Sequence, residues 1–87
     1  MTLETLEKKR KQLIFRSGHR GMKEMDIIMG SFAAKYIPTF TAEEIELYET
    51  LLDVSDPDLY NWYLQKEELP ENQRNNVSDL FLQHKVV

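Results

Sequence analysis

The sequence predicts an all-α fold, a small antiparallel helical bundle of four to five short helices. Two observations carry this: apolar residues recur at spacings of three and four along most of the chain, and no stretch alternates with a period of two for long enough to form a strand. A third is that only three glycines and three prolines interrupt 87 residues, leaving few breaks between helical segments. Short links between consecutive amphipathic helices favour antiparallel packing in one domain over residues 1–87, with no repeat or internal boundary.

Thr2 can cap a first helix whose apolar positions are Leu3, Leu6, Leu13 and Ile14, and Gly18 offers its stop. A second helix opens at Arg20-Gly21-Met22-Lys23-Glu24 and runs to Ile37, where Pro38 excludes the preceding residue from helical geometry. Its core stripe is Met22, Met25, Ile28, Met29, Phe32, Ala33 and Tyr36. At about 100° per residue, Arg20, Glu24, Ile27 and Ser31 cluster on the reverse face, which places Ile27 where water is expected.

Thr41-Ala42-Glu43-Glu44 reads as a capping box, with Phe40 and Ile45 as its hydrophobic staple, and it opens a third helix that ends near Asp53. Asp56-Pro57 supplies an N-cap followed by proline for a fourth helix carrying Leu59, Trp62 and Tyr63, ended by Pro70 at the latest. Val77, Leu80, Phe81 and His84 outline a weaker C-terminal helix, about 77–84, whose last residues fray.

A chain this short buries only about 60% of its unfolded surface and leaves little room for an enclosed active site. The absence of cysteine excludes disulfides, thiol catalysis and thiolate metal sites. His19 and His84 are far apart and have no metal-ligand spacing, and no glycine-rich loop follows a strand, so neither a metal nor a nucleotide cradle is expected. The glutamates at 43, 44, 46 and 49 read as a solvated helix face. No apolar run approaches the roughly 18 residues of a membrane span. The first thirteen residues lack the character of a secretory or transit peptide, from which a bacterial cytoplasmic location is expected over a mitochondrial matrix.

The net charge of −4 hides an asymmetry. Residues 1–24 carry seven basic and three acidic side chains, a balance of +4, whereas residues 25–87 carry four basic and twelve acidic, a balance of −8. Such a chain either orients its N-terminal half toward an acidic partner or simply carries two solvated helix faces, and charge alone does not decide between them. Within that half, Arg20 and Glu24 lie one helical turn apart as an exposed pair, in the order less favoured by the helix dipole, so stability explains them poorly. Gly21 between them serves either a backbone turn or the close approach of another molecule.

Phe15-Arg16-Ser17, Arg20-Gly21-x-x-Glu24, Phe32-Ala33, Thr41-x-Glu43-Glu44, Leu47-Tyr48-Glu49-x-Leu51-Leu52 and Asp56-Pro57-Asp58-Leu59-Tyr60-Asn61-Trp62 follow in fixed order over residues 9–64. In this the chain resembles the SdhE-type succinate dehydrogenase FAD-assembly factors. The resemblance implies a helical, non-enzymatic protein that binds the flavoprotein subunit of succinate dehydrogenase, or of fumarate reductase, and promotes covalent attachment of FAD to a histidine of that subunit. It implies a monomer with no stably bound cofactor, the FAD residing on the partner. Arg20, Gly21 and Glu24 would contact the flavoprotein, with Met22, Arg16 and His19 beside them. Many relatives carry two basic residues where this chain has Gly18 and His19, which lowers the local positive potential. The competing reading is an antitoxin-like or nucleic-acid-binding regulator using Lys8, Lys9, Arg10, Lys11 and Arg16, against which the acidic remainder argues.

Overall fold

A computed structural model describes residues 2–86; Met1 and Val87 lie outside it. The described residues form five α-helices and no strand: α1 (Leu3–Ser17), α2 (Lys23–Tyr36), α3 (Ala42–Leu52), α4 (Asp56–Tyr63) and α5 (Asn76–Gln83). Short 3-10 turns occupy Ile37–Thr39 and Glu71–Gln73. α1 packs against α2 and α3, while α5 closes the other side against α3 and α4.

The helix boundaries follow from local chemistry. The Thr2 hydroxyl accepts from the Thr5 amide at 3.1 Å, giving one orphan donor of α1 a partner, and Gly18 ends that helix. At α3 both halves of the capping box form: Thr41 Oγ1 accepts from the Glu44 amide at 3.2 Å and Glu44 Oε1 from the Thr41 amide at 2.9 Å. Phe40 and Ile45, the staple pair, are both buried.

The core centres on Phe32, a fully buried aromatic of the α2 stripe. Its ring stacks on Tyr48 at 5.5 Å and meets Phe81 and His84 edge-on at 6.2 and 5.5 Å, so one aromatic joins α2, α3 and the α5 end. Met25, Met29, Ile45, Leu59 and Val77 complete the same cluster, with Trp62 at its margin.

Three expectations are corrected. The fourth helix is capped by Ser55, not Asp56; the Asp56 carboxylate turns instead toward a cation and a backbone amide, described below. The C-terminal helix is firmly held, since Asn75 and Ser78 form a reciprocal capping box and Val77, Phe81 and His84 are buried. Ser31, expected on a face open to solvent or a partner, is half-buried against the C-terminal segment: its hydroxyl lies 2.8 Å from His84 Nε2. That hydroxyl donates to the Ile28 carbonyl, so His84 Nε2 is the donor, and the buried Nδ1 is left a lone pair without a partner. The Tyr63 hydroxyl donates to the His84 carbonyl at 2.6 Å, tying the end of α5 to α4.

Candidate functional site

The predicted second helix begins three residues late. Arg20 and Gly21 lie in the link between α1 and α2, and Met22 is the α2 N-cap. The exposed Arg20–Glu24 pair does not exist. The Arg20 side chain is only 13% exposed and forms a salt bridge through Nε with Asp56 Oδ1, itself 14% exposed. Its remaining nitrogens donate to the carbonyls of Leu52, at 2.9 Å, and Val54, at 2.7 Å.

The physical reason lies at the end of α3. The last carbonyls of a helix have no intrahelical partner and form the negative pole of its dipole, so a planar fork of donors is well matched to them. Arg20 caps α3 from outside the helix while neutralising the first residue of α4. Arg10 acts similarly one link earlier, donating to the Ile37 and Phe40 carbonyls around the turn before α3. Two arginines of the basic half thus fasten two interhelical links.

Two carboxylates fix the Arg20 link in return. Asp26 Oδ1 accepts from the Arg20 amide, and Asp56 Oδ2 accepts from the Met22 amide at 3.1 Å. Just before the link, Ser17 Oγ donates to the Leu13 carbonyl, so the Tyr48 hydroxyl, 2.6 Å away, donates to Ser17. Burial of that phenol pushes the Tyr48 pKa up to about 12, a shift that the hydrogen bond shared with Ser17 and then the Arg20 and Arg16 charges only partly offset.

Around this fixed link opens a shallow cleft of about 270 Å³, lined by Phe15, Arg16, His19, Arg20, Gly21 and Asp56. Four of the six residues expected at the site therefore come together here. Phe15 and Asp56 are additions, and the acid of the pair with Arg20 comes from 36 positions further along the chain. Half-buried Met22 packs against the core beneath the link, and exposed Glu24 stands on the first turn of α2 with no salt bridge among the described residues. Arg16 reaches Asp53 only at 3.5 Å.

Gly21 is exposed, its φ is not positive, and a Cβ there would meet nothing nearer than Asp56 Oδ2 at 3.9 Å. Nothing among the described residues requires glycine at that position. His19 Nδ1 donates to the Phe15 carbonyl at 2.7 Å, and its ring stacks on Phe15 with centroids 4.0 Å apart and planes 14° from parallel.

The cleft offers recognition chemistry: a guanidinium, an imidazole, an apolar ring and open backbone. No group of acidic or histidine side chains able to hold a metal ion occurs among the described residues. Of the glutamates on α3, Glu44 serves the capping box and accepts from Asn76, and Glu49 pairs with Lys9 at 2.8 Å. No helix of the described residues is long and apolar enough to cross a membrane.

Comparison with known proteins places this geometry in context. Residues 11–85 match the family described as flavinator of succinate dehydrogenase. The chain is 40% identical over 82 residues to the mitochondrial succinate dehydrogenase assembly factor 2 of Dictyostelium discoideum, covering 94% of this chain and 58% of that protein. It is 40% identical over 78 residues to the mitochondrial protein of that name from Kluyveromyces lactis, covering 86% and 48%. Against that of Saccharomyces cerevisiae strain YJM789 it is 46% identical over 61 residues, covering 70% and 38%. The chain thus spans about half the length of the curated relatives it matches. The expected bacterial cytoplasmic location is overturned, because these relatives are mitochondrial proteins of eukaryotes. That expectation leaned on the first thirteen residues, and a chain half as long as its relatives does not show where a leader would lie.

Proposed function

We propose, from the premise that this chain belongs to the family described as flavinator of succinate dehydrogenase, that it is an assembly factor acting on the flavoprotein subunit of that enzyme. In this reading it binds the subunit and promotes covalent attachment of FAD to a subunit histidine. The subunit performs the covalent chemistry on its own bound flavin, and the chain contributes binding alone. A related fumarate reductase subunit is a second client of the same chemistry.

The observation that carries the reading is Gly21. It is exposed, conformationally ordinary and unconstrained from inside, at the rim of a cleft built by a largely buried arginine clamp. Glycine there leaves room for another backbone to approach. Glu24, free on the neighbouring turn, can accept from donors of the client, and Arg16 and His19 offer donors on the other side. Arg20 takes a role different from direct contact: it holds the link so that these groups are presented in one geometry. Docking that fixes the mobile parts of the flavoprotein would bring histidine and flavin into attacking distance, and proximity with orientation lowers the barrier.

A nucleic-acid-binding role is less well supported. Of its five basic residues, Lys9 pairs with Glu49, Arg10 is turned onto the Ile37 and Phe40 carbonyls, and Arg16 leans on Asp53. The test is to mix the purified chain with the FAD-loaded, unmodified flavoprotein subunit and follow in-gel flavin fluorescence after denaturation. Faster appearance of covalent flavin together with a stable complex supports the reading; no complex and no acceleration rejects it.

A further inference from the structure

The basic half of the chain separates into two sets. Lys9, Arg10 and Arg20 are directed onto carboxylates and carbonyls of this molecule. Lys8, Lys11 and Lys23 are exposed and form no salt bridge among the described residues, and Arg16 reaches Asp53 only at 3.5 Å. On α1 the spacing of Lys8, Lys11 and Phe15 is three and then four, so they occupy one stripe, with exposed Gln12 beside it. This stripe runs directly into the cleft, because Phe15 lines both.

Phe15 is 64% exposed, and among the described residues its ring stacks on His19 and lies outside the core cluster. His19 lies flat on its ring and is hydrogen-bonded to its carbonyl, so one face of the phenyl ring is covered and the other is left open. A rigid aromatic side chain loses little entropy on being buried, which is the property of a binding anchor.

We propose that the Lys8–Lys11–Phe15 stripe is a second contact for the client, in which Phe15 enters an apolar recess bordered by acidic side chains. The proposal rests on the docking reading above and extends it from the Gly21 rim along α1. Charge complementarity identifies the partner's chemistry. The cations of the stripe are free, whereas residues 25–87 carry a balance of −8 and turn away from an acidic surface, so approach to such a surface is made with α1 leading. Phe15 then governs how long the complex lasts, and Lys8 and Lys11 govern how fast it forms.

Association and dissociation rates with the purified flavoprotein subunit of succinate dehydrogenase, measured at several salt concentrations, separate these roles. Phe15→Ala, whose thermal unfolding should match that of the parent because the ring is exposed, is expected to dissociate about thirtyfold faster. Phe15→Leu should recover part of the loss. The double variant Lys8→Glu, Lys11→Glu is expected to associate on the order of tenfold more slowly at low salt, with the difference shrinking as salt rises. If the parent chain binds the subunit and all three variants bind with unchanged rates, the stripe is no contact while the docking reading survives. If the parent chain itself does not bind, both fall. Two further outcomes overturn the proposal by naming another occupant: Phe15-dependent binding to phosphatidylcholine–phosphatidylserine vesicles without binding to the subunit, and self-association abolished by Phe15→Ala.

Discussion

Arg20 and Asp56, 36 positions apart in the chain, form a nearly buried ion pair in which the arginine also caps the C-terminal end of α3 and the aspartate also holds the Met22 amide. The pair joins two links at one point: the turn before α2, and the link between the end of α3 and the start of α4. Removing one member strands the other charge in a largely dry place. Arg20→Ala or Asp56→Ala should each cost about 3 kcal/mol, in the range found for broken buried pairs, as read from urea denaturation midpoints. The double variant should cost clearly less than the sum of the two. An additive result would mean that the pair is not coupled.

Gly21 and Glu24 behave oppositely. Gly21→Ala should leave stability unchanged or raise it by up to about 1 kcal/mol, because alanine fits the backbone and narrows the unfolded ensemble. Glu24→Gln should melt with the parent, since the side chain forms no salt bridge among the described residues. Both should nevertheless weaken flavoprotein binding in a titration. Loss of stability in either would reassign the residue to the fold.

The buried hydroxyl pair offers a cleaner energetic test. Ser17→Ala leaves the Tyr48 hydroxyl without an acceptor and should cost about 1–3 kcal/mol. Adding Tyr48→Phe to that variant should return part of the loss, because neither partner is then left unsatisfied. Chemical denaturation of the two singles and the double closes the cycle.

His84 gives the fold an acid limit. Burial, and secondarily the Lys35 charge, lower its pKa below the ordinary 6.5. As pH falls below 6.5 the unfolded chain takes up a proton that the folded chain refuses, so stability drops from there toward the lowered folded value. Tyr48 acts at the other extreme: between about 10 and 12 the unfolded phenol ionises first, and stability falls as pH rises. Thermal melts across pH should show both slopes. His84→Gln should flatten the acid one, and an unchanged acid slope would remove His84 from the account.

The helices were legible because their signals are local. The Thr2 cap, the Thr41–Glu44 box and the α2 stripe all act within four residues, and each is found where sequence spacing places it. Two boundaries shifted because a distant group competed. Asp56 looks like an N-cap until Arg20 is brought beside it, and Arg20 looks like an exposed helical residue until the orphan carbonyls of α3 arrive. Neither partner is visible at helical spacing. The only hint was that the Arg20 and Asp56 segments both belong to the ordered set of motifs. The firmness of α5 was hidden for the same reason, because the aromatic contacts of Phe81 and His84 are made with Phe32, some fifty residues earlier.

The central claim is that the clamp builds the site from within while Gly21 and Glu24 meet the client from without. It is tested most directly by the rate of covalent FAD attachment to the flavoprotein subunit in the presence of Glu24→Ala, used only after its urea unfolding curve has been shown to match the parent's. The account predicts acceleration lowered at least about tenfold, as for loss of one strong interfacial contact, with the fold intact. Undiminished attachment by this folded variant would contradict it.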